Sequence, residues 1–93
     1  MDKLLVLYTM KGCSHCVNMK EKLEESNISY SELDIDENKH EYDMFVEITE
    51  NEYVPAFMII EMKNDKFNTQ LFAPERDFNQ IDDGVKIIKE HFK

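Results

Sequence analysis

Two cysteines three residues apart, placed where one hydrophobic pattern gives way to another, constrain this chain more than any other feature. Cys13-Ser14-His15-Cys16 follows Leu4-Leu5-Val6-Leu7-Tyr8, a nearly continuous apolar run of the kind found in a strand buried on both faces. Thr9-Met10-Lys11-Gly12 is a turn-like link, and from Cys13 to Ser26 there is no Gly or Pro. Cys16, Met19 or Lys20, and Leu23 recur at helical spacing, with Lys20, Glu21, Lys22, Glu24 and Glu25 on a charged outer face. A disulfide within one tetrapeptide closes too small a loop to restrain the unfolded chain, so the pair makes a poor structural staple. On a helix, positions i and i+3 share a face with Cβ atoms roughly 5–6 Å apart, and a modest adjustment brings two sulfurs into bonding range. The dithiol therefore sits at a helix N-terminus. Unpaired N–H groups and the helix dipole there favour an anion, here the Cys13 thiolate.

The remaining sequence keeps the same rhythm. Ile28–Ile35 alternates apolar and polar residues, which predicts a second strand. Asp34 or Asp36 is placed to cap a helix from about Glu37 to Thr49, with Tyr42, Phe45 or Val46, and Ile48 or Thr49 facing inward. Ala56–Met62 reads as a third strand, Lys63-Asn64-Asp65-Lys66 as a polar turn, and Phe67–Phe72 as its hairpin partner. A final helix is expected within Asp77–Phe92, with Ile81, Val85, Ile88 and Phe92 as its apolar stripe and Gly84 either splitting it or starting its main part. No repeat or linker interrupts the chain, so residues 1–93 are expected to form one domain. The order β-α-β-α-β-β-α predicts an α/β fold with a mixed four-stranded sheet flanked by helices.

Charge and composition remove other classes of function. The 93 residues carry 20 acids against 11 bases, of which one is Arg, for a formal net charge of −9. A nucleic-acid surface needs clustered cations, so none is expected. The longest apolar runs, Leu4–Tyr8 and Val54–Ile60, fall far short of the roughly 18 residues of a membrane span. Met1-Asp2-Lys3-Leu4 lacks the basic start and long apolar stretch of a secretory signal, which leads us to expect a cytoplasmic protein. Ten Lys, eight Ile and seven Asn beside two Ala fit an AT-rich coding sequence. Such sequences occur in low-GC microbes and large DNA viruses, so the compartment becomes host cytoplasm or virion if the source is viral. Cys13, His15 and Cys16 are crowded, and no second cysteine pair or histidine pair completes a tetrahedron, so no metal is expected. His40 and His91 fall on predicted helix surfaces, and the six Met are expected to fill the core.

At three places the chain resembles the glutaredoxin branch of the thioredoxin superfamily. These are Tyr8-Thr9-Met10-Lys11-Gly12-Cys13-Ser14-His15-Cys16, Leu33-Asp34-Ile35-Asp36 and Val54-Pro55-Ala56-Phe57. The resemblance implies a thioredoxin fold and a monomeric, glutathione-linked thiol-disulfide oxidoreductase serving redox homeostasis and electron transport. Cys13 is then the nucleophile and Cys16 the resolving thiol. Pro55 is expected to be cis and to face the dithiol, with Val54 offering its backbone to an extended substrate. Lys11 resembles the basic residue that glutaredoxins use for the glycine carboxylate of glutathione, and it also lies near enough to stabilise a thiolate. His15 stands where disulfide isomerases have His, and it is expected to stabilise the reduced form and raise the potential. Tyr8 is expected in the core and Tyr53 beside the ligand.

The chain also departs from the family. Where glutaredoxins commonly carry Gly-Gly followed by Asp, it reads Phe72-Ala73-Pro74-Glu75-Arg76-Asp77, with Asp82-Asp83-Gly84 further on. Asp77, or Asp82 and Asp83, then take the acidic role toward glutathione. Ser14 and His15 replace the commoner Pro and Tyr. Expected partners are glutathione and disulfide-bearing proteins, with ribonucleotide reductase suggested by analogy to viral glutaredoxins. The alternatives are a glutathione-independent thioredoxin- or isomerase-like enzyme, and a protein that bridges a 2Fe–2S cluster with glutathione.

Overall fold

The computed structural model describes residues 2–92. Its elements run β1 (Asp2–Thr9), α1 (Ser14–Glu25), β2 (Ser31–Asp34), α2 (Lys39–Thr49), β3 (Ala56–Lys63), β4 (Lys66–Phe72) and α3 (Ile81–His91), the expected order. The sheet order is β2-β1-β3-β4. β1 pairs in parallel with β2 from Val6–Ser31 to Thr9–Asp34, and antiparallel with β3 from Asp2–Met62 to Tyr8–Ala56. β1 is therefore interior to the sheet, which explains its unbroken apolar run. Leu5 and Leu7 pack on one face with Met19 and Leu23 of α1 and Val85 and Ile88 of α3. Val6 and Tyr8 pack on the other with Tyr42 and Phe45 of α2. The Tyr8 and Phe45 ring centroids lie 4.8 Å apart, an aromatic contact worth about 0.5–1.5 kcal/mol beyond its buried area.

Some expectations need correction and others are met, each for a local physical reason. The second strand is shorter than Ile28–Ile35. Asn27 turns left-handed at φ 58° after α1, and the Ile28 N–H is spent on the Leu23 carbonyl, so pairing begins only at Ser31. Neither Asp34 nor Asp36 caps α2. The Asp34 side chain instead accepts the Asp36 N–H, and the helix starts later, with Asn38 as its first flanking residue. Ile48 is 66 % exposed, while Thr49 is buried with its hydroxyl on the Phe45 carbonyl. The Lys63–Lys66 turn holds Asn64 and Asp65 at φ 53° and 63°, the left-handed pair that a two-residue hairpin loop requires. Methionine is less of a core filler than expected. Met19 is fully buried, but Met10, Met44 and Met62 are exposed, and Met1 lies outside the described residues.

Candidate functional site

The site forms where β1 ends. Gly12 at φ 78° lets the chain turn sharply out of the strand, a conformation that costs an L-residue energy and glycine almost none. The Cys13 N–H closes this turn on the Met10 carbonyl at 3.3 Å, and Cys13 itself becomes the N-cap of α1. Its sulfur accepts the Cys16 N–H at 3.1 Å, the task a Ser or Asp side chain usually performs at this position. Cys13 and Cys16 are joined as a disulfide with Cα atoms 5.3 Å apart. Cys16 is 1 % exposed and belongs to the core, whereas Cys13 is partly open to solvent. An incoming group therefore reaches Cys13 first.

Opposite the disulfide, the Val54–Pro55 bond is cis. The Val54 carbonyl oxygen lies 4.0 Å from Cys13 Sγ. Pairing between β1 and β3 begins at Tyr8–Ala56, so the backbone of Val54 stands outside the ladder. Tyr42 donates its hydroxyl to the Glu52 carbonyl at 2.6 Å, and Asn51 donates its side-chain amide to the Pro74 carbonyl at 2.6 Å. These bonds tie the loop before Pro55 to α2 on one side and to the segment after β4 on the other.

Two recesses flank the disulfide. One, of 320 Å³, is lined by Lys11, Cys13, Cys16, Lys20, Glu32 and Asp34 among others. In it Glu32 accepts hydrogen bonds from the buried Thr9 hydroxyl at 2.7 Å and from Lys20 Nζ at 3.0 Å. The Thr9 bond, with the smaller contribution of Lys20, holds the Glu32 carboxyl below its usual range against the opposing effect of burial. The other recess, a groove of 460 Å³, brings together His15, Tyr53, Val54, Pro55 and Asp82. Tyr53 is 59 % exposed at its rim, whereas Tyr8 is buried in the core as expected.

Of the remaining acid candidates, Asp77 and Asp82 are engaged by neighbouring groups. Asp77 Oδ2 accepts the Ala73 N–H at 2.8 Å and pairs with Arg76, which cross-braces the turn where glutaredoxins carry Gly-Gly. Neither Asp77 nor Asp83 lines the groove. Asp82 does, but its carboxylate is 2.7 Å from Lys22 Nζ. Lys22, read from sequence as an outer-face charge, is thus a groove residue, together with Asn18, Glu75 and Phe78. Positions 15, 18 and 22 follow helical spacing, a signal available in the sequence. Nothing local marks Glu75, which owes its place to the turn at residues 73–78.

The surroundings place a polarised sulfur at a helix end beside a second, shielded sulfur, which is an arrangement for thiol-disulfide exchange. Among the described residues no group of three His, Cys, Asp or Glu is placed to hold a metal ion, and no helix is long and apolar enough to cross a membrane. The Glutaredoxin family profile matches residues 5–61. No curated protein matches the chain significantly. Solved structures share the fold at low identity. Trichomonas vaginalis thioredoxin is 16 % identical with a TM-score of 0.62, the match covering 98 % of this chain and 79 % of that one. The thioredoxin-like protein BC3987 is 16 % identical with a TM-score of 0.56, over 92 % and 96 % of the two chains. A malarial protein is 15 % identical with a TM-score of 0.56 over the full length of both. With the profile spanning most of β1, the dithiol, the cis-proline loop and most of β3, this chain belongs to the glutaredoxin family and is a thiol-disulfide oxidoreductase of thioredoxin fold.

Proposed function

We propose that the chain is a glutathione-linked reductase of protein and small-molecule disulfides, working in the cytoplasm through Cys13 and Cys16. The observation that carries this reading is the placement of Cys13 Sγ. It accepts the Cys16 N–H, faces the Val54 carbonyl and shares a recess with Lys11. As a thiolate, Cys13 attacks one sulfur of a substrate disulfide. The Cys13–substrate bond forms as the substrate's own S–S bond breaks, and the departing thiolate takes a proton from solvent. Cys16 then loses its proton and attacks Cys13 Sγ, restoring the internal disulfide and expelling the second substrate thiolate. Two electrons have passed to the substrate, and two molecules of glutathione return them, leaving as glutathione disulfide. Lys11 supplies the cation for a glutathione carboxylate.

A second reading, protein disulfide exchange without glutathione, is favoured by one observation. Two of the three acids that would meet the amino end of glutathione are engaged, Asp77 by Ala73 and Arg76, and Asp82 by Lys22, and Asp83 does not line the groove. Two assays separate the readings: glutathione-coupled reduction of hydroxyethyl disulfide, and insulin reduction driven by dithiothreitol. Turnover in the first, abolished by Cys13→Ser, supports the leading reading. Turnover confined to the second refutes it.

A further inference from the structure

The recesses on either side of the disulfide differ in charge. The smaller holds Lys11 and Lys20 against Glu32 and Asp34, which cancel. Among Lys, Arg, Asp and Glu, the larger holds Lys22, Glu75 and Asp82. Lys22 and Asp82 offset each other across 2.7 Å, which leaves Glu75 as the carboxylate of the groove without an ion-pair partner. Among the described residues no cation lies within ion-pair distance of its carboxylate. The backbone beneath Glu75 is held firmly. Its N–H donates to the Phe78 carbonyl at 2.7 Å, and the Asp77 N–H donates to the Ala73 carbonyl at 2.9 Å. The groove's other polar lining, Asn18, Asn79 and Gln80, is neutral, and the Val54 backbone forms one wall. Such a surface suits an extended polypeptide that takes main-chain hydrogen bonds along Val54 and places a cation near Glu75.

We propose that the larger groove receives a segment of a protein substrate bearing Lys or Arg close to its disulfide, and that Glu75 is the residue that selects for it. This inference rests on the thiol-disulfide activity proposed above, but not on how the dithiol is recycled.

The test is a single turnover. Pre-reduced protein is oxidised by peptides that differ only in carrying Arg, Gln or Glu at positions flanking one cysteine held as a mixed disulfide with mercaptoethanol. Rates are normalised to the reaction of each peptide with dithiothreitol, which removes the intrinsic effect of charge on the leaving thiol. The Arg peptide is expected to react about fivefold faster than the Glu peptide, the scale of one exposed ion pair. That ratio should fall to within about twofold in Glu75→Gln and in about 0.5 M salt, where screening is strong. It should persist in Glu90→Gln, which removes an equal charge at the far end of α3. Equal rates for all peptides, or a preference that survives Glu75→Gln, overturns the inference. If hydroxyethyl disulfide oxidises the protein while no peptide does, the groove assignment falls alone. If neither does, the oxidoreductase reading falls with it.

Discussion

Gly84 tests how tightly the groove wall is set against the core. It lies in the first turn of α3 and is buried, and a Cβ built on it would lie 2.9 Å from Met19 Cε and 3.1 Å from two ring carbons of Phe78. Alanine is the better helix former by about 0.8–1 kcal/mol, so propensity alone predicts that Gly84→Ala stabilises. Packing opposes this. Met19 is fully buried, so its methyl has no solvent to move into, and the buried Phe78 ring is backed by Phe57, its centroid 5.6 Å away. Inserting a carbon into such a core costs about 1–3 kcal/mol. Subtracting the propensity gain from the middle of that range leaves a net loss of about 1 kcal/mol, or a Tm lower by about 4–8 °C for a domain of this size. Urea unfolding followed by far-UV circular dichroism measures it, with the midpoint falling at unchanged slope. The same substitution in a Met19→Leu background should cost at least about 0.5 kcal/mol less, because leucine lacks the terminal methyl that clashes. Gly84→Ala proving as stable as the parent, or equally costly in both backgrounds, refutes the packing argument.

Other perturbations read separate parts of the site. Thr9→Val removes the hydroxyl bonded to Glu32 while keeping shape, and the part-exposed carboxylate regains water, so the expected loss is about 1 kcal/mol. Because the folded Glu32 pKa lies below the usual 4.5, its contribution is present above that pH and lost as pH falls through the folded value. The acid limb of a stability–pH curve should therefore flatten in Thr9→Val, and an unchanged limb counts against the Glu32 network. Tyr30 is pushed up to about 12 by burial first and by its hydrogen bond to Glu24 second, so stability tied to its neutral form declines between pH 10 and about 12. Tyr30→Phe should soften alkaline unfolding over that window; identical curves would remove the assignment. His15→Tyr is expected to lower the reduction potential of the Cys13–Cys16 pair by about 30 mV, read by equilibration with glutathione, and a change under about 10 mV would show that His15 does not tune it.

Features that depend on one element and its immediate neighbours were legible in the sequence. The unbroken run at Leu4–Tyr8 announced an interior strand, and the cysteine spacing announced a helix start. The polar run Lys63–Lys66 announced the hairpin turn, where the structure then holds Asn64 and Asp65 left-handed. Features that depend on where a side chain is spent elsewhere were not legible. Asp34 and Asp36 both suit a helix cap, but Asp34 serves the Asp36 N–H, so the helix begins at Lys39. Asp77 fits the acidic role of the family equally well on paper, yet it is consumed in bracing its own turn. Lys22 looks like solvated charge until Asp82, sixty residues on, is brought 2.7 Å from it. The groove follows from such long-range pairings, and its wall at residues 74–82 falls outside the part of the chain that the family profile matches.

The net charge of −9 and the thiolate that reduction would leave at Cys13 look incompatible, and magnitudes resolve the conflict. A unit charge ~15 Å away across water acts with about 0.3 kcal/mol, and screening at a Debye length of about 8 Å reduces that roughly sixfold. Nine such charges together oppose ionisation by about half a kcal/mol. Once Cys13 is reduced and ionised, the Cys16 N–H, 3.1 Å from its sulfur in the disulfide, donates to a charged acceptor, a bond worth about 1.5–3 kcal/mol. One local donor therefore outweighs the whole distant acid excess. The diffuse charge still matters over longer ranges and at lower ionic strength, where it governs which partners approach and how fast. Sulfur chemistry and partner choice are thus set by different charges on different length scales. Substitutions at Glu75 are accordingly expected to redirect substrates, and those in the first turn of α1 to retune the disulfide.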